Sequence, residues 1–148
     1  MSDTTENVRV AKRWFEELWN QGRFEVIDEL ADTKAVGEGQ EFHDSPINLE
    51  QFRAFAKHMR EAFPDFRVKI EDAIAENDRV VLRWHANMTH SGKFLSYPAT
   101  GKKVDISGIT IFRISKGKIV AGWDKWDQLG LLEQIGAVPV QHPRETAA

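Results

Sequence analysis

The spacing of apolar residues changes at Phe66, and that change restricts the folds open to the chain. Before it, apolar side chains recur every three to four residues: Val8, Ala11, Phe15 and Leu18, then Phe24, Ile27, Leu30 and Ala31, then Phe52, Phe55, Ala56, Met59 and Phe63. After it they alternate, in four runs over 66–75, 79–90, 104–114 and 118–126. A period of 3.6 buries one stripe of a helix, and a period of two buries one face of a strand. The sequence therefore predicts helices followed by antiparallel strands, an α+β domain with the helices packed on one face of the sheet. A chain of 148 residues needs only one core. A single domain is expected over 1–148, with about 1–6 and 139–148 as tails.

Local signals mark the element ends. Asp3-Thr-Thr-Glu6 and Asn48-Leu-Glu-Gln51 have the spacing of capping boxes, Gly22 closes the first helical run, and Pro64 stops the third. Residues 33–47 show neither period and read as irregular. Glu76-Asn77-Asp78 and Ser115-Lys116-Gly117 read as hairpin turns. A short helix is expected over Gln128–Ile135, ended by Gly136.

In the run 79–90 the even set Val80, Leu82, Trp84, Ala86 and Met88 is apolar and faces the helices, and in 104–114 the even set from Val104 to Ile114 does the same. The opposite face of 104–114 also carries Ile109 and Ile111. Apolar residues on both faces predict that the outer face is covered too, most simply by a second copy of the chain, so a homodimer is expected.

Several function classes are excluded. With no cysteine there is no disulfide, thiolate metal site or cysteine nucleophile. A net charge of -3, with Lys102-Lys103 an isolated basic pair, gives nucleic acid no footprint. The polar, acidic start Met1-Ser-Asp-Thr-Thr-Glu-Asn7 is not a signal peptide, and no apolar run suffices to span a membrane; the cytoplasm is the expected location. Gly37-Glu-Gly39 lacks the third glycine of a dinucleotide fingerprint, and Thr100-Gly-Lys-Lys103 is not a phosphate loop. His43, His58, His85, His90 and His142 form no metal motif. No metal, nucleotide or other cofactor is expected.

What remains is carboxylate and histidine chemistry in an apolar pocket. Asp124 and Asp127 sit among Trp123 and Trp126, and a carboxylate held between indole rings loses water, which raises its pKa towards that of a general base near neutrality. Alternation in 118–126 leaves two arrangements open. Either Val120, Gly122, Asp124 and Trp126 face inward, with Asp124 beside Thr110, or the other set does and Asp124 is an ordinary surface residue. Asp127 falls where an aspartate caps the following helix. Asp72 shares parity with Val68 and Ile70 but lies near a hairpin, where a bulge or frayed end turns it outward. His43 and His90 are candidate hydrogen-bond donors into a pocket. Trp14, Phe55, Met59, Trp84, Met88, Phe112 and Trp126, with Thr110, are the candidate lining for a small hydrophobic ligand.

Taken in order, Leu18-Trp-Asn-Gln-Gly22, Phe42-His-Asp44, Ala62-Phe-Pro-Asp-Phe66, Asp78-Arg-Val80 with Arg83-Trp84, Thr89-His-Ser-Gly92, Ala99-Thr-Gly-Lys-Lys-Val104 and Gly117-Lys-Ile119 through Trp123 to Gln134-Ile-Gly136 resemble the SnoaL-like polyketide cyclases, or ester cyclases, of the nuclear-transport-factor-2-like superfold. The resemblance runs nearly end to end. It implies a curved antiparallel sheet wrapped around the N-terminal helices to form a conical pocket. It also carries the family's acid/base aspartate onto Asp124 and a polar pocket position onto His43, where the type cyclases resemble an Asn; where some relatives place a histidine this chain has Thr110. The implied activity is a cofactor-free aldol ring closure with Asp124 as base and His43, His90 or Thr110 as donors to the enolate oxygen. A carboxylate pocket also permits isomerisation, dehydration or epoxide opening, or ligand binding without catalysis.

Overall fold

In the computed structural model, which describes residues 3–42 and 45–140, two helical stretches lead into two strands, a third helix, four more strands of the same six-stranded sheet and a last short helix. Helix α1 (Thr4–Arg13) starts where Asp3 accepts the Glu6 backbone N–H at 3.2 Å, inside the span expected as a tail. It widens into a π-helical segment, Trp14–Asn20, whose Trp14, Phe15, Leu18 and Trp19 are all buried. π-Turns are rare and concentrate at functional sites; here the widened segment supplies two rings to the pocket described below. Helix α2 (Val26–Leu30) follows. Helix α3 (Leu49–Ala62) has the complete capping box: Asn48 Oδ1 accepts from Gln51 N, and Gln51 Oε1 accepts from Asn48 N, each at 2.9 Å.

The stretch read as irregular, 33–47, instead contributes strand β1 (Ala31–Glu38) and the two-residue β2 (Ile47–Asn48). Ala31, expected at the end of a helix, begins β1. The reason for the misreading is chemical. Inward side chains of β1 are Ala31 and Ala35, four apart and small, so the strand shows no alternation of bulky apolar residues. Strands β3 (Arg67–Glu76), β4 (Arg79–Thr89), β5 (Lys103–Ser115) and β6 (Lys118–Trp126) form an antiparallel meander. The order across the sheet is β2-β1-β6-β5-β4-β3, and β1 joins β6 in parallel. The sheet is thus curved and open, with β2 and β3 at its edges, and one of its five pairings departs from the antiparallel pattern.

Even residues of β4 and β5 turn inward as expected. Val80, Leu82, Trp84, Ala86 and Met88 pack with Val104, Ile106, Thr110, Phe112 and Ile114 in one core with the helices. A register shift between Ile70 and Asp72 turns Asp72 out to Arg83, whose Nε donates at 2.6 Å. A second shift, at Arg113 and Ile114, leaves Val120 outside the ladder and restores inward parity for Gly122 and Asp124. Helix α4 (Gln128–Gln134) is capped by Asp127, which accepts from Gly130 N at 2.8 Å.

Candidate active site

Asp124 is carried to the inner face of the sheet by its pairing with Thr110 on β5. The Thr110 hydroxyl donates to Asp124 Oδ1, and the side-chain amide of Gln40 donates from Nε2 to Oδ2 at 2.8 Å. Burial pushes the carboxyl up to about 6 against the two hydrogen bonds, which favour its charged form and pull the other way. At pH 7 the group is mostly ionised and close to the point of accepting a proton, the condition a general base requires. Asp124 is half-buried and lines an internal cavity of about 50 Å³.

The cavity wall is aromatic and aliphatic. Phe15 and Trp19 come from the π-helical segment, Phe55 and Met59 from α3, and Trp84, Ile106, Phe112 and Trp126 from the sheet, with Phe66 and Val68 closing one side. Asp124 is the one ionisable group among the described residues of this wall. Phe55 also belongs to a wider hollow of about 310 Å³, lined by Phe42, His58, Phe94 and Leu95. Phe42 packs edge-on against Trp126 at 5.4 Å, so the two spaces share aromatic walls.

Gln40 is held in place by the residues that follow Asp124. Trp126 Nε1 donates to Gly39 O at 3.0 Å and Gln40 O at 3.2 Å, and Gln128 Nε2 donates to Gly39 O and Glu41 O. Gly39 has φ +86°, a conformation that favours glycine. Gln40 is 5% exposed, and its Oε1 has no hydrogen-bond partner, so its amide is set as a donor towards the carboxylate.

Of the residues expected at the site, the structure gathers Asp124, Thr110, Phe55, Met59, Trp84, Phe112 and Trp126 around the cavity. It does not bring His90, Trp14 or Met88 there. His90 has the inward parity expected of it but lies at the end of β4, fully buried against Phe63 and bonded through Nδ1 to the Thr100 hydroxyl at 2.9 Å. Burial pushes its pKa down. Trp14 packs on Phe52 and Phe112 behind the cavity wall, and Met88 is a core residue further along β4. His43 lies outside the described residues. Gln40, Phe15, Trp19, Phe66, Val68 and Ile106 are lining residues that the sequence reading missed. The signal for Gln40 was the pair Gly37, in β1, and Gly39, just beyond its end: glycines in or beside a strand mark close backbone approach as well as nucleotide loops.

No three His, Cys, Asp or Glu side chains cluster as a metal site among the described residues, and no described helix is long and apolar enough to cross a membrane. The sequence profile of the SnoaL-like polyketide cyclases matches residues 9–135. No curated protein matches the chain. Among solved structures, AclR of Streptomyces galilaeus, assigned as a hydroxylase, is 25% identical with a TM-score of 0.84, the match covering 93% of this chain and 85% of AclR. A protein of Jannaschia sp. CCS1 assigned as a SnoaL-like polyketide cyclase is 27% identical at a TM-score of 0.82, over 94% of this chain and 98% of its own. One of Bacillus cereus assigned as a polyketide cyclase is 28% identical at 0.77, over 90% and 83%.

Proposed function

This chain belongs to the SnoaL-like polyketide cyclase family, and on that footing we propose that it is a cofactor-free enzyme closing a ring by intramolecular aldol condensation on a small hydrophobic carbonyl compound. The observation that carries this reading is the isolation of Asp124: one carboxylate, raised to about 6, in a cavity whose other described walls do not titrate. Asp124 takes the proton from a carbon flanked by two carbonyls, and the resulting enolate carbon forms a bond to a second carbonyl of the same molecule. The protonated carboxyl then returns its proton to the new alkoxide, so the base is regenerated and no oxidant or reductant is consumed. Folding the substrate so that the two carbons meet converts the step into a unimolecular one.

The dimensions bear on the substrate. A cavity of about 50 Å³ takes only the reacting end of a molecule, since sites that enclose a drug-sized ligand run to roughly 300–1,000 Å³. The body of the substrate lies in the aromatic hollow between Phe42, Phe55 and Phe94, which suits a planar or apolar group. On the outside of the sheet a second copy of the chain covers Ile109, which is 45% exposed.

The test uses ethyl acetoacetate in D2O, with deuterium uptake at its C2 followed by NMR. The wild-type protein accelerates exchange, and Asp124→Asn loses ~10²-fold or more of the acceleration. Exchange by the Asn variant at the wild-type rate would remove Asp124 from the mechanism.

A further inference from the structure

Resting on the reading of Asp124 as the proton acceptor, we propose that Trp84 is a positioning residue that acts through Thr110: its indole N–H fixes the Thr110 hydroxyl as a donor to the carboxylate. Trp84 Nε1 donates to Thr110 Oγ1 at 3.0 Å in a buried bond. An indole N–H is a donor only, whereas a hydroxyl has one proton and two lone pairs and turns to suit its neighbours. With the indole proton on one lone pair, the hydroxyl proton is directed to Asp124 Oδ1.

The backbone is built to allow this contact. Trp84 pairs with Gly108 across the β4–β5 ladder, so Thr110 is its diagonal neighbour, a separation that a large aromatic spans. The indole reaches Thr110 by lying over Gly108, where a Cβ would fall 2.5 Å from Trp84 Cζ2 and 2.8 Å from the Trp126 Cβ. Any side chain at 108 displaces the ring. Trp84, Gly108 and Thr110 thus form one device on two adjacent strands, facing Asp124 on the third.

Two consequences follow for the chemistry. Thr110 spends its one proton on Asp124, so it does not donate to an enolate oxygen, the role suggested for it by the sequence. With Thr110 on Oδ1 and Gln40 on Oδ2, the plane of the carboxylate is held from both sides. No charged side chain contributes to its ionisation: α3 presents Phe55 and Met59, the π-helical segment Phe15 and Trp19, and β5 Ile106 and Phe112.

The experiment is a carboxyl-¹³C NMR titration of aspartate-labelled protein, with Asp124→Asn identifying the signal. It needs no substrate, so it is separate from the test of Asp124 as the base. Thr110→Val moves the Asp124 midpoint upward by about one pH unit, the effect of losing a donor to a charged group. Trp84→Phe keeps the ring but removes the N–H, and it moves the midpoint upward in the wild-type background and not in Thr110→Val. An unmoved midpoint in Trp84→Phe, or a Trp84→Phe shift of the same size with Val at 110, overturns the proposal.

Discussion

Gly39 lies so close to the backbone of Asp124 that a Cβ on it would fall 2.0 Å from the Asp124 carbonyl oxygen. The contact is between backbones, so no side-chain rotation relieves it, and the φ of +86° at Gly39 adds strain for any other residue. Gly39→Ala is expected to lower stability by about 1–3 kcal/mol and to draw Gln40 away from the carboxylate. Urea denaturation measures the first effect and the exchange rate at C2 of ethyl acetoacetate the second. A Gly39→Ala protein as stable and active as wild type would contradict the packing described.

Asp124 and Asp127 separate by mutation. Asp127 accepts from Gly130 N as a helix cap, so Asp127→Ala costs about 1 kcal/mol while Asp127→Asn costs little, and both retain activity. If Asp124 is the base proposed above, Asp124→Asn should cut exchange by ~10²-fold or more and leave the circular dichroism spectrum of the fold in place. Loss of activity in Asp127→Asn would point to a chemical role for that residue.

The stability of the protein carries the signature of Asp124. Its folded pKa, about 6, lies above the ordinary aspartate value of 3.8, so between these values the folded state binds more protons than the unfolded one, and stability falls as pH rises. The fall amounts to about 3 kcal/mol and is complete above pH ~6. Urea midpoints from pH 4 to 7 should show this slope in wild type and lack it in Asp124→Asn.

His90 works in the opposite sense. Its folded pKa lies below 6.5 because burial disfavours the cation, so the folded state binds fewer protons there and stability is lost as pH falls through 6.5. In the Asp124→Asn background, where the carboxylate slope is gone, acid should destabilise the protein. His90→Phe should remove the part of that dependence just below pH 6.5, leaving the more acidic limb to carboxylates held down by their partners, such as Glu17 and Asp65; an unchanged profile just below pH 6.5 would assign it elsewhere.

Ile109 gives a test of assembly. In the dimer proposed above, Ile109, 45% exposed on a central strand, is the covered residue, and Ile109→Lys should then shift the sedimentation coefficient from that of a dimer to that of a monomer. A monomeric wild-type protein at high concentration would rule out the second subunit.

The legibility of the chain followed the size of its buried side chains. Helix α3 and strands β4 and β5 were readable because Phe52, Met59, Trp84 and Phe112 declare their period. The Asn48–Gln51 box and the outward turn of Asp72 were readable from local chemistry. Strand β1 was hidden because alanine fills its inward positions, and its parallel partner β6 is distant in sequence. The face of β6 could not be read from alternation because the bulge at Val120 shifts its parity. His90 had the correct parity, but the cavity does not extend along β4 to reach it, and parity carries no information about how far a cavity runs.

The pairing of β1 with β6 also bears on when the surroundings of Asp124 are completed. Strands β3 and β4, and strands β5 and β6, are joined by short turns and pair through contacts near in sequence, whereas Gln40 and Asp124 are 84 residues apart. Distant pairings carry the larger loop-closure cost and form later. The bond from Gln40 to the carboxylate is therefore expected to form only once β1 has docked on β6, so the base proposed for this site gains its second donor after the hairpins are made.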